Sequence, residues 1–181
     1  MLKKFNLVVS TYRRRENDCI SELWYLLKEL GDESIDASTT GLPGLIVART
    51  SLDPLEVVEK LRKLAEDKPW YFRFILKVVP VQKVVPADLD SIAKAAEELA
   101  SNIAEDETFR VTVRSRLSDL GKREIIEAVA SRIDRKVNLE NPDKMVLVEV
   151  IGDLAGISVI RPQHVLSLQK IRRERRLRQG E

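Results

Sequence analysis

Phe109-Arg110-Val111-Thr112-Val113-Arg114-Ser115-Arg116, followed by Ser118-Asp119-Leu120-Gly121-Lys122-Arg123-Glu124, is the stretch whose reading decides the fold. Phe109, Val111 and Val113 alternate with Arg110, Thr112 and Arg114, and Arg116 continues the polar register. Successive side chains of a strand point to opposite faces, so this segment predicts one core face and one cationic face. No acidic residue alternates with the arginines. The second segment reads as the opening turn of a helix, where unpaired backbone N–H groups and the positive dipole end suit a phosphate. Arginine matches phosphate geometry with two parallel donors. The pattern therefore points to a polyanion such as RNA.

Working outward, the upstream sequence reads as a self-contained unit. Phe5 to Thr11 is a strand with Phe5, Leu7 and Val9 on one face. Ile20, Leu23, Trp24, Leu27 and Leu30 form a helical stripe that ends at Gly31. Residues 33–39 and 45–50 are two strands around the Thr40-Gly41-Leu42-Pro43-Gly44 hairpin tip. Asp53-Pro54-Leu55-Glu56 is a helix start, with a capping Asp and a Pro where a missing N–H is harmless. Tyr71 to Val79 reads as one long strand. The order βαββαβ is the ferredoxin-like arrangement. Pro80 and Pro86 bracket a connection to a second unit, which opens with a helix from Asp88 to about Ile103. After the quoted strand come a helix to about Ile133, an extended piece at Lys136 to Leu139, and the turn Asn141-Pro142-Asp143. Met145 to Ile151 and Ala155 to Ile160 are two strands, the first of them central because Glu149 is its one strongly polar residue.

The chain has 181 residues, enough for one medium domain or two small ones. Its net charge of +2 hides an asymmetry: Arg161 to Glu181 carries seven Lys or Arg against two Glu, leaving −3 for the rest. Cys19 is the single cysteine and sits in a helical stripe, so an inert thiol and a cytoplasmic location are expected. No apolar run approaches a membrane span.

Catalytic chemistry finds little support in the residue types. His164 is the sole histidine, which rules out multi-imidazole metal sites within one chain. No phosphate-loop or dinucleotide glycine pattern is present, and no catalytic, metal or cofactor residue is expected. Trp24, Trp70, Tyr71 and the phenylalanines fit core or strand-packing positions. Basic residues cluster in three places: the Arg13-Arg14-Arg15 turn, the Arg110, Arg114 and Arg116 strand, and the tail beginning at Arg161 with Lys170, Arg172 and Arg173. The tail reads as a disordered arm, an RNA-binding helix or a partner-docking helix.

The second unit resembles the THUMP domain. The resemblance rests on Arg110 to Arg116, Lys122-Arg123-Glu124-Ile125-Ile126, Lys136-Val137-Asn138-Leu139-Glu140-Asn141-Pro142-Asp143, and Val146 to Val150 with Gly152-Asp153. It covers about half the chain, and Asn138 stands where the family pattern often has Asp. The expected organisation is α+β: a ferredoxin-like unit over residues 1–85, an α/β THUMP domain over 86–161 and a basic tail over 162–181. No methyltransferase, thiouridine synthase or deaminase domain is expected to follow. The resemblance therefore implies a stand-alone tRNA-binding adaptor without catalysis of its own, needing no cofactor. It would engage the acceptor stem and 3′ end of tRNA and assist a tRNA cytidine acetyltransferase in making 4-acetylcytidine. By motif, Arg114, Arg116, Lys122 and Arg123 would contact the RNA backbone. Arg110, Arg13 to Arg15, Arg161, Lys170, Arg172 and Arg173 extend that set on charge alone. The rival reading is a protein-interaction module whose basic tail docks a partner.

Overall fold

The structure, a computed structural model, describes residues 1–180; Glu181, the last residue of the expected tail, lies outside them. The chain divides into two units, Met1–Pro80 together with the segment from His164 onward, and Val81–Gln163.

The first unit begins with β1 (Leu7–Ser10), α1 (Glu16–Glu29), β2 (Asp36–Thr39), β3 (Leu45–Arg49), α2 (Pro54–Asp67) and β4 (Lys77–Pro80). Leu7 and Val9 of β1 enter a core built with Leu23 and Leu27 of α1 and with Val58 and Leu61 of α2. The start of α2 is as the sequence predicts: Asp53 accepts the N–H groups of Leu55 and Glu56, at 2.8 and 3.4 Å, ahead of Pro54. Gly44 closes the β2–β3 hairpin at φ +71°, and a Cβ there would meet the Thr11 carbonyl oxygen at 2.6 Å. No side chain fits so close an approach.

The expected strand from Tyr71 to Val79 is much shorter. Pro69–Tyr71 is a 3-10 turn, and pairing starts only at Lys77. The reason lies in α1, where the Glu22 carboxylate accepts the backbone N–H groups of Arg73, Phe74 and Ile75 at 2.7, 3.0 and 2.8 Å. Those donors are satisfied by a side chain, so no strand ladder is needed there.

The second unit contains β5 (Lys83–Pro86), α3 (Leu89–Leu99), β6 (Thr108–Arg116), α4 (Lys122–Ala130), β7 (Lys136–Val137), β8 (Lys144–Ile151) and β9 (Leu154–Ile160). Its sheet runs β5-β9-β8-β6-β7, with β6 parallel to β7 and β8 and the other pairs antiparallel. Ile92 and Ala96 of α3 and Ile125 and Val129 of α4 pack with Phe109, Val111, Val146 and Val148. Each fully buried branched side chain of this kind contributes about 1.5–3 kcal/mol. β8 is the central strand expected from its apolar run. The segment between Pro80 and Pro86 is not a plain connection but holds an edge strand, a position where a proline such as Pro86 is tolerated.

The chain then returns to the first unit with β10 (Leu166–Ser167) and α5 (Leu168–Gln179). β10 extends the first sheet to the order β10-β4-β1-β3-β2, antiparallel throughout. Leu166, Leu168 and Ile171 are buried in the core of this unit, so the basic tail is a packed helix. The whole is a mixed α/β chain with two five-stranded sheets and five α-helices among the described residues. No helix among them is long and apolar enough to cross a membrane.

Candidate nucleic-acid interface

The alternation of β6 is realised as predicted. Phe109, Val111 and Val113 are buried in the core with α3 and α4, while Arg110 and Arg114 are exposed on the other face. The parallel register sets Arg114 beside Glu149 and Arg116 beside Ile151. Glu149 is only 3% exposed, and Arg116 donates to its carboxylate through Nη1 at 2.6 Å. Arg116 thus neutralises a buried charge. Arg110 donates through Nη1 to the Leu139 carbonyl at 2.8 Å and ties the 138–141 turn to the strand. Among the described residues Arg114 makes no side-chain hydrogen bond or ion pair.

Five residues after β6 the chain enters α4. Leu117 turns the backbone through φ +54°, Ser118 Oγ accepts the Leu120 N–H at 3.2 Å, and Gly121 takes the cap position with no side chain to satisfy the first turn. Burial of Ile125 and Val129 fixes the rotation of α4, with Lys122 and Arg123 exposed in its first turn. Arg123 meets Glu127 at 3.2 Å, but both groups are well exposed, and such an i,i+4 pair is worth only about 0.3–0.5 kcal/mol. A phosphate can replace it at small cost. Arg114, Lys122 and Arg123 therefore flank one connection, at the carboxyl end of a parallel strand and the amino end of a helix. That is where open α/β sheets receive ligands and helix starts receive anions.

Arg161 lies elsewhere in this unit, 3.7 Å from Glu107, which also meets Lys144 at 3.2 Å. The Ala104 backbone N–H and then Lys144 hold the Glu107 carboxyl below the usual range. Asp143, from the expected turn, accepts the Thr108 N–H and hydroxyl at 2.8 and 3.1 Å, and these bonds lower its pKa in the same way. Asp143 of the Asn-Pro-Asp turn thus ties the start of β6 to the residue that precedes β8.

The remaining basic residues belong to the first unit. Arg13 and Arg14 are exposed at the turn after β1, Arg14 in the left-handed region at φ +66°, and Arg15 caps α1 while pairing with Asp18 at 3.2 Å. On α5, Arg172 donates to the Phe72 carbonyl at 2.6 Å, whereas Lys170 and Arg173 point into solvent. The aromatic residues differ from the expectation. Trp24, Trp70 and Tyr71 are not core residues but remain between 44% and 62% exposed. Trp24 faces outward because the buried stripe of α1 runs through Cys19, Leu23, Leu26 and Leu27, and its ring is covered by the Lys28 ammonium at 3.6 Å. Lys68-Pro69 ends α2 just ahead of Trp70, a breaker signal that could have revealed the turn. Burial pushes the Cys19 thiol up to about 12, so it stays protonated and inert. No group of three or more His, Cys, Asp or Glu residues among the described residues is placed to hold a metal.

Comparison with known proteins adds the family. A protein of Methanocaldococcus jannaschii is 27% identical over 158 residues, which spans 84% of this chain and 40% of that one. Mouse THUMP domain-containing protein 1 is 28% identical over 158 residues, 75% of this chain and 45% of its own. The chain thus spans less than half the length of these curated relatives. Among solved structures, a Pyrococcus horikoshii protein superposes with a TM-score of 0.60 at 21% identity, covering 87% of this chain and 55% of that one. A predicted N6-adenine-specific DNA methylase of Listeria monocytogenes gives 0.52 at 17% identity, covering 86% and 40%. A 4-thiouridine synthetase in complex with RNA and ATP gives 0.51 at 16% identity, covering 87% and 42%. At these identities the likeness is one of fold. It nevertheless corrects the expectation that the chain is not an enzyme, because this fold is found within a methylase and a thiouridine synthetase. Residue types alone could not carry that exclusion. The family model for the THUMP domain matches residues 86–160 of the chain.

Proposed function

We propose that this chain binds tRNA and serves tRNA modification, with Arg114, Lys122 and Arg123 gripping the phosphate backbone. The observation that carries this reading is the β6–α4 junction: a partnerless exposed arginine beside two cations in the first turn of a helix that no side chain caps. The THUMP domain at residues 86–160 supports it, as does the presence of RNA in the thiouridine synthetase complex that shares the fold. The first unit we read as ferredoxin-like, on its βαββαβ order and its strand order β4-β1-β3-β2. The acceptor stem and 3′ end are the part of tRNA we assign to the interface. Cytidine acetylation, with a tRNA cytidine acetyltransferase as partner, is the modification we infer from the resemblance of the motif.

Phosphate contacts release counterions, so affinity should fall steeply with salt, and each cation removed should flatten that dependence by roughly one unit of slope. In a gel shift with folded tRNA, Arg114→Glu combined with Arg123→Glu should weaken binding about tenfold or more while circular dichroism stays unchanged. Equal affinity in the folded double variant would sink the site. For the reaction, tRNA from cells lacking the chain should be short of 4-acetylcytidine; normal levels would remove acetylation from the proposal.

A further inference from the structure

The first unit carries a second surface with nucleic-acid chemistry, built from residues that the interface above does not use. Trp70 is 62% and Tyr71 44% exposed in the short turn that ends α2. Their ring centroids lie 6.4 Å apart, tilted by 52°. The Arg175 guanidinium of α5 lies 6.0 Å from the Trp70 ring, and the Lys68 ammonium 5.6 Å from that of Tyr71.

The juxtaposition is fixed rather than incidental. Arg172 donates to the Phe72 carbonyl at 2.6 Å and Arg175 to the Glu66 carbonyl at 3.2 Å, while Leu168 and Ile171 sit in the core. These four residues hold α5 against the segment that carries the two aromatics. α5 bears six Lys or Arg against one Glu. With Arg172 and Arg175 engaged in docking, Lys170, Arg173 and Arg176 are exposed, and their side chains have no hydrogen-bond or ion-pair partner among the described residues. Glu66 and Glu174 lie beside Arg175 and Arg178.

We infer that Trp70 and Tyr71, with the cations of α5, form a platform for unpaired nucleotides. Bases would stack on the two rings while the helix holds the phosphates between them, the combination that single-stranded binding requires. A duplex keeps its bases stacked on one another and offers nothing to the rings. A lipid surface would require an apolar face on α5, and its exposed side offers only Leu177. The choice of RNA as ligand rests on the tRNA reading; the surface itself shares no residue with that interface.

Trp24→Phe leaves Trp70 as the single tryptophan, so its emission reports on the platform. Titration of this variant with a single-stranded cytidine decamer should quench and shift that emission, whereas a blunt RNA duplex of equal charge should leave it nearly unchanged. With a labelled decamer followed by anisotropy, Trp70→Ala should weaken binding about tenfold, and Trp70→Phe should retain most of it. Arg173→Glu with Arg176→Glu should weaken it and flatten its salt dependence. Unchanged Trp70 emission at saturation would overturn the inference, as would equal binding by Trp70→Ala. Equal quenching by inorganic polyphosphate would also overturn it, since that reports charge without bases. Arg114→Glu with Arg123→Glu separates the two surfaces: decamer binding that survives this pair stands apart from the fate of the tRNA interface.

Discussion

Arg110, Arg114 and Arg116 occupy equivalent positions along one strand and have three different fates. Arg110 holds a turn, Arg116 neutralises Glu149, and Arg114 is left for a ligand. The alternation of charges along the sequence could show which face they share, but not this division, because the partners come from β8 and the 138–141 turn. Arg116 is therefore expected to matter for stability first. Removing it strands a buried carboxylate, a change that costs about 3–5 kcal/mol for fully buried pairs. A quarter of the Arg116 side chain is exposed, so about 3 kcal/mol is expected for Arg116→Ala, seen as a lower urea midpoint. Arg116→Met with Glu149→Leu should recover most of that loss, since an apolar pair of similar volume needs no neutralisation. Arg114→Ala, by contrast, should leave the midpoint within about 0.5 kcal/mol. If the two single variants are equally destabilised, the division of roles is wrong.

Among the elements, those legible in the sequence are those whose signal is local. β6 declares itself through strict alternation, and α2 through Asp53-Pro54. The missed or altered elements depend on distant partners. Tyr71 to Val79 has the alternation of a strand, yet Glu22, some fifty residues earlier, draws three of its N–H groups away from any ladder. β5 and β10 are short edge strands that exist because β9 and β4 offer open edges, which no local pattern announces. Two residues of β10 pair with β4, too few for any periodicity. The exposed aromatics differ from the core or strand-packing expectation because large rings favour burial, whereas the α1 stripe leaves Trp24 outside and the turn after α2 carries Trp70 and Tyr71 outward. Glu22→Ala should cost about 2–3 kcal/mol, roughly 1 kcal/mol for each lost hydrogen bond. Hydrogen exchange should speed up at residues 73–75 well before the β1 and β3 amides respond. Uniform acceleration through the whole unit would mean that Glu22 does not act locally.

For the whole molecule, acid is the natural probe of the carboxylates that organise both units. Asp32 is buried, and although burial pushes its pKa up, the hydroxyls of Ser51 and Thr50 together with backbone N–H groups bring it below the ordinary value. Glu107 and Asp143 are lowered by backbone and side-chain donors in the second unit. A carboxyl with a depressed folded pKa stabilises the fold above its unfolded value of about 4, and that contribution is lost as pH falls through the folded pKa. Stability should thus be level from neutral pH down to about 5 and decline below about 4. Asp143→Asn should flatten the decline in the second unit while leaving the first unchanged, as followed by residue-resolved amide signals. A decline that begins near pH 6 would contradict this assignment to the depressed carboxyls.

The first unit draws its last strand and its last helix from beyond the second. During synthesis the ribosome therefore delivers everything the second unit needs before Leu166, Leu168 and Ile171 exist. The nascent chain carries a finished second unit while its first unit still waits with an unfilled hydrophobic slot between α2 and β4. The order of birth thus makes the second unit the earlier to mature, and leaves the first dependent on α5 for protection from chaperones and proteases.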